Sequence, residues 1–281
     1  MKLLMENWRE YLNEEAVTDT TNLGILIDTN MDGDDKNLLL FDTEEFINSI
    51  GRNKSKPMPS DFDEWDEEDQ FRFYRQNQNN DPLENERVQK KIFKSIKGII
   101  VMGIWAESIP PCFGGNKELY TVKRSAARSG YGPLLYDTAL LYTKTVAGGL
   151  MADRFDLSKP AQNIYKQWLA RGTGATGIKI KARKLDNIDD PQTIPKEDDC
   201  YVHPETGKGK ADPASNYVYS TKSSAAPVRV LQKKARTSIK EFINRAYPGG
   251  SSYKSPEELV NTIEEMLYDG GGNLFDKLYK G

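Results

Sequence analysis

The sequence predicts an α/β fold: a mixed, mainly antiparallel central sheet flanked by helices and broken by irregular insertions. Three observations carry this. Short apolar runs of strand length alternate with segments whose apolar residues recur at helical spacing. One strand-like run passes through a Gly-x-Gly turn straight into an apolar helix opened by proline, Gly130-Tyr131-Gly132-Pro133. The chain has 281 residues, of which 37% are hydrophobic, enough to bury one large core or two smaller ones.

The elements follow in order. Residues 1–15 read as an amphipathic helix, with Leu4, Met5, Trp8, Tyr11 and Leu12 at helical spacing and Glu6, Asn7, Arg9, Glu10 and Asn13 opposite. A polar stretch from Thr18 to Asn22 sets it apart, so it is either a detachable peptide or a helix packed on its own domain. Residues 23–27 and 38–41 read as the strands of a hairpin. Their connection matches the start of a calcium loop at Asp28, Asn30, Asp32 and Gly33, but Leu39 stands where a bidentate glutamate is needed, so no metal is expected. Residues 43–50 read as a helix with Thr43 as N-cap. Residues 54–82 form a variable acidic insertion, whose run from Asp61 to Asp69 reads as the solvated start of a helix capped by Ser60 or Asp61, with Trp65, Phe71, Phe73 and Tyr74 seeking a surface.

The pattern then becomes regular. A helix is expected at 87–97, strands at 98–105 and 118–123, and a helix at 133–143 with Leu134, Leu135, Thr138, Leu141 and Tyr142 inward. An apolar run at 148–153 leads to a helix at 160–171 capped by Ser158, with Ala161, Ile164, Tyr165 and Trp168 inward. Residues 172–215 read as a long loop that holds the basic run Lys179, Lys181, Arg183 and Lys184. A strand at 217–220 precedes a helix at 227–246, and Ser255 with Glu258 opens a last helix that ends near Tyr268.

Charge and composition narrow the function. The net charge of −3, from 39 basic and 42 acidic residues, argues against a whole-molecule nucleic-acid footprint. Lys233, Lys234, Arg236 and Lys240 give the 227–246 helix a basic face, which reads first as a solvated surface and second as a contact for RNA, DNA or an anionic scaffold. Cys112 and Cys200 make neither a disulfide framework nor a zinc site, so a reducing compartment is the default. No apolar run approaches the roughly 20 residues that span a bilayer, and no membrane partner is expected. His203, the single histidine, argues against a multi-histidine metal centre and a histidine-dependent protease.

The block from Gly98 to about Gly172 resembles the acyl-CoA-binding half of the GCN5-related N-acetyltransferase fold. That family carries an Arg/Gln-x-x-Gly-x-Gly/Ala turn between its fourth strand and third helix and an Asn-x-x-Ala-x-x-x-Tyr pattern on its fourth helix. Gly130, Tyr131 and Gly132 fill the first, while Ser158, Ala161 and Tyr165 approximate the second. The resemblance implies one acetyltransferase-like domain over 17–281, an acyl-CoA N-acyltransferase-like sheet, and acetyl-CoA as cofactor. It assigns the coenzyme pyrophosphate to Arg128, Ser129, Gly130, Tyr131, Gly132 and Ser158 and the thioester carbonyl to the amides of Val122 and Lys123. Tyr165 becomes the acid that protonates the departing thiolate, and Glu118 or Glu107 a water-assisted base for a protein or small-molecule amine acceptor. Two departures stand out: Ala127 occupies the family's Arg/Gln position, with Arg128 and Arg124 nearby, and Ser158 the Asn position. The same fold without catalysis would serve as an interaction module.

The N-terminal helix resembles the capsid-targeting peptides of T-even-type bacteriophage internal proteins, and Leu12-Asn13-Glu14 fits the cleavage pattern of their prohead protease. This implies a peptide of about residues 1–16 that is cut, prohead scaffold and protease as partners, and residence in host cytoplasm or virion interior. A phage-borne ADP-ribosyltransferase would need an Arg, a Ser-Thr-Ser and a Glu-x-Glu in that order. Ser220-Thr221-Lys222-Ser223 is interrupted by lysine, and Glu84-Asn85-Glu86 lies upstream.

Overall fold

The computed structural model describes residues 19–28, 35–50, 61, 64–78, 83, 85–104, 119–152, 158–184, 217–247, 258 and 260–263. The N-terminal helix, the calcium-like loop after Asp28, most of the acidic insertion, Glu107, Glu118, the two cysteines and His203 lie outside the described residues. The described elements are β1 (Leu23–Asp28), β2 (Lys36–Asp42), α1 (Thr43–Asn48), α2 (Glu67–Gln78), α3 (Glu86–Ser95), β3 (Ile96–Ile104) and β4 (Tyr120–Ala127). They continue with α4 (Gly132–Val146), β5 (Leu150–Met151), α5 (Lys159–Arg171), β6 (Ile180–Lys184), β7 (Tyr217–Thr221) and α6 (Ala226–Ala246).

The fold is mixed α/β, with a mostly antiparallel sheet of seven strands in the order β1-β2-β3-β4-β5-β7-β6. β3 and β4, β5 and β7, and β6 and β7 pair antiparallel, whereas β4 and β5 run parallel. That parallel pair needs a crossover, which α4 supplies. By internal contacts the chain divides into two compact units, one of residues 20–26, 39–97 and 230–281, the other of residues 1–19, 27–38 and 98–229.

In the first unit the helix starts follow from short acceptors. Asp42, not the expected Thr43, caps α1: its Oδ1 accepts from the amides of Glu44 and Glu45 at 3.0 and 2.9 Å. The Thr43 hydroxyl instead donates to the Asn22 carbonyl at 3.0 Å. Likewise Asp66 accepts from the Asp69 amide at 2.8 Å, so the acidic helix begins later than a cap at Ser60 or Asp61 implies. Asn85 caps α3. That helix stops at Ser95 because the β-branched run beginning at Ile96 is taken up by β3. The core forms around Phe46, which stacks on Phe242 at 4.7 Å and meets the edge of Phe41 at 5.2 Å. Leu231, Ala235, Ile239 and Ile243 add the buried face of α6. The nearly buried Lys97 ends a salt bridge of 2.8 Å on Glu45. Residues 260–263 are helical, within the helix expected after Ser255.

The second unit packs α4 and α5 with β4, β5 and β7. α4 buries every residue from Leu134 to Thr143, as its nearly uninterrupted apolar sequence demands. The apolar run at 148–153 yields only the two-residue β5, and 153–157 lie outside the described residues. Ser158 takes the N-cap position of α5, but its side chain makes no capping bond. The stretch read as a long loop contains β6: Ile180 and Ala182 turn to one face while Lys179, Lys181 and Arg183 are exposed on the other. The period-two alternation was present in the sequence but masked by its charge.

Candidate functional site

The candidate site is built on β4. Its register with β3 runs Gly98↔Ala127 to Val101↔Arg124 and resumes at Met102↔Val122, so Lys123 is an extra residue without a partner on β3. This is a β-bulge, a device that bends a strand and redirects one peptide unit out of the ladder. The Lys123 side chain lies over Gly103 and its Nζ pairs with Asp35 at 2.6 Å. The ammonium is therefore tied to the neighbouring strand side, and what the bulge offers toward β5 is backbone.

On that side β5 pairs with β4 over a short stretch. They pair only at Tyr120↔Leu150 and Thr121↔Met151, although β4 runs on to Ala127. From Val122 onward the β5 side of β4 has no strand beside it among the described residues. A strand edge without a neighbour presents a row of alternating amides and carbonyls.

The open edge ends in the glycine turn. The Tyr131 amide donates to the Arg128 carbonyl at 3.1 Å, closing a four-residue turn whose third residue, Gly130, has φ +78°. A side chain there would be strained, which is why glycine stands at this position. The chain then enters α4 with Tyr131 as N-cap, no side-chain cap, and Pro133 in the first turn. The start of a helix carries a positive dipole end that favours an anion. Arg128 and Ser129 are exposed, Gly130 and Tyr131 half-buried, and Gly132 buried. The structure so brings Val122, Lys123, Arg128, Ser129, Gly130, Tyr131 and Gly132 onto one strand and the turn that ends it. Ser158 lies apart in sequence, exposed at the head of α5.

Tyr165 sits in α5, fully buried. Its hydroxyl donates to the carbonyl of Met151, the last residue of β5, at 3.2 Å. Its ring meets Tyr219 at 5.1 Å, Trp168 at 5.4 Å and Tyr136 at 5.5 Å, and the Tyr136 hydroxyl lies 2.9 Å from Ser125 Oγ of β4. An aromatic cluster therefore fixes α4 and α5 to the sheet.

A residue not singled out from the sequence holds these helices together. Asp137 of α4 is fully buried. Its Oδ1 accepts from Trp168 Nε1 at 3.2 Å, and its Oδ2 accepts from the Thr176 amide at 2.7 Å and the Thr176 hydroxyl at 2.8 Å. Gly174 lies so close that a Cβ would overlap the carboxylate. Burial pushes the Asp137 carboxyl above the usual carboxylate range, and donors from Thr176, Trp168 and Ala175 pull it partly back. Its signal in the sequence was a single carboxylate inside Leu134-Leu135-Tyr136-Asp137-Thr138-Ala139-Leu140, since an acid on an all-buried helix must find donors. Among the described residues no cluster of histidine, cysteine and carboxylate groups suits a metal ion, and no helix is long and apolar enough to cross a membrane.

Comparison with known protein families, with curated proteins and with solved structures gave no match.

Proposed function

We propose that the unit holding β4, α4 and α5 is a GCN5-related N-acetyltransferase-like module that takes acetyl-CoA and passes its acyl group to an amine. The observation that carries this reading is the coincidence on one strand of a bulge at Lys123, pairing with β5 that among the described residues covers only Tyr120 and Thr121, and a positive-φ glycine turn into the start of α4. An extended thioester cofactor needs these three things in that order. A redirected amide beside Val122 and Lys123 meets the thioester carbonyl, an open strand edge accepts the pantetheine amides, and the helix start receives the pyrophosphate. Arg128, Ser129, Gly130, Tyr131 and Gly132 would hold the pyrophosphate, with Arg128 supplying the charge that Ala127 does not. Acetyl-CoA supplies an acyl group already activated as a thioester.

A second reading is favoured by one specific observation. The Tyr165 hydroxyl is committed to the Met151 carbonyl within a closed aromatic cluster, which suits a core residue better than an acid that must reach a thiolate. On this reading the module binds without transferring. Calorimetry with acetyl-CoA tests the shared part: micromolar binding that Ser129→Asp weakens about tenfold or more by placing like charge in the cradle supports it, and absence of binding sinks it. Tyr165→Phe separates the two readings, since loss of acyl transfer with binding intact marks an enzyme.

The N-terminal segment extends the proposal to a bacteriophage setting, with prohead scaffold and protease as partners and the virion interior or host cytoplasm as location. A particle-borne form that begins at Glu15 supports this, and an intact Met1 in mature particles counts against it.

A further inference from the structure

We infer that the exposed face of α6 is a docking surface for the phosphate backbone of double-stranded nucleic acid. α6 carries six cations, Arg229, Lys233, Lys234, Arg236, Lys240 and Arg245, against one carboxylate, Glu241, inside a chain whose net charge is −3. The structure divides these cations by task. Lys234 donates to the carbonyls of Thr20 and Thr21 at 3.1 and 2.9 Å, and Arg245 binds Glu241 at 2.6 Å and Asn48 at 3.4 Å. Lys233, Arg236 and Lys240 are exposed, and among the described residues none of them forms an ion pair. At about 100° and 1.5 Å per residue the three fall within an arc of about 60° along about 10 Å of helix, a line of like charge that costs self-repulsion unless an anion faces it.

The surroundings of this row select the anion. The neighbours of the row include the neutral polar Gln232, Thr237 and Asn244, the exposed Val230 and the carboxylate of Glu241, which is paired with Arg245, and no aromatic side chain accompanies them. A single-strand binder needs such aromatics to stack bases, whereas a duplex backbone needs only spaced cations. A membrane surface would need the apolar face of the helix, yet Leu231, Ala235, Ile239, Phe242 and Ile243 are buried within their own unit. The net charge of the whole chain, which argued against nucleic acid, averages over this local excess.

The test measures binding of a fluorescent random-sequence DNA duplex of about 20 base pairs by the full chain across salt concentrations, where about three neutralised phosphates give a log–log slope near −3. The triple variant Lys233→Gln, Arg236→Gln and Lys240→Gln is expected to flatten that slope to near zero and to lose at least tenfold in affinity at low salt. Glutamine keeps helix propensity, and an unchanged circular dichroism melt shows that the fold is intact. A matched variant, Lys179→Gln, Lys181→Gln and Arg183→Gln, removes the same charge from β6 and is expected to retain the slope. No duplex binding at low salt, an unchanged slope in the α6 variant, equal loss in the β6 variant, or tighter binding of single-stranded DNA, anionic vesicles or an acidic peptide than of duplex would each overturn the proposal.

Discussion

Replacing Asp137 by alanine is expected to cost about 3 kcal/mol of folding stability, from contributions that differ in kind. Trp168 is 2% exposed, so its indole N–H loses its acceptor where water does not reach and keeps the desolvation penalty of about 1–3 kcal/mol. Thr176 is exposed, so its amide and hydroxyl turn to solvent and forfeit only the net value of charge-assisted bonds, about 1–2 kcal/mol together. Relief of a buried charge offsets about 1 kcal/mol of this. Urea unfolding followed by far-ultraviolet circular dichroism reads the total. Hydrogen exchange reads the place: the Thr176 amide should exchange far faster in the variant while amides of α1 and α3, in the other unit, stay protected. A loss below about 1 kcal/mol, or loss of protection spread evenly over both units, would refute the view that Asp137 ties the turn after α5 to α4.

Three further outcomes follow from neighbouring geometry. Gly174→Ala drives a methyl group into the Asp137 carboxylate and is expected to destabilise by about 1–3 kcal/mol in the same urea assay, with little added penalty in a background already carrying Asp137→Ala. Gly130→Ala forces φ +78° on a residue with a Cβ, which should cost about 1–2 kcal/mol by urea unfolding and weaken acetyl-CoA binding. The raised carboxyl of Asp137 gives the pH prediction. The native state holds its proton more tightly than the unfolded chain, so this group favours folding most below about pH 4 and loses that contribution as pH rises through the raised native value. The stability difference between the wild-type chain and Asp137→Asn, measured by urea midpoints from acid to neutral pH, should therefore shift against the wild type as pH rises. A difference that is flat or moves the other way contradicts the assignment.

What the sequence made legible is what periodicity and turn chemistry encode. α4, α5 and α6 were all expected at nearly their observed bounds, because apolar spacing, Pro133, Pro160 and Gly172 mark them locally. β4 was expected to end at Lys123 but continues to Ala127, since Lys123 and Arg124 look like a strand end until the bulge shows how they are accommodated. β6 was hidden by its lysines, which suit an edge strand as well as a loop. The cap at Asp42 rather than Thr43 turned on which of two adjacent acceptors faces the first free amides. The candidate site divides in the same way. The Gly130 turn was visible because only glycine tolerates its conformation, and its left-handed φ agrees with that reading. The cage around Asp137 depends on residues brought together from 31 and 39 positions away, and no local pattern records such contacts.

The central proposal is that β4 from Val122 onward and the turn that ends it form one continuous binding surface for an acyl thioester of coenzyme A. Backbone amide chemical shifts followed during titration with acetyl-CoA test it most directly. The account predicts saturable shifts that cluster at Val122, Lys123, Ser129, Gly130, Tyr131 and Gly132, with none of comparable size in α1 or α3. Unchanged amides at those residues in the presence of excess acetyl-CoA, or shifts confined to surface lysines elsewhere, would contradict it.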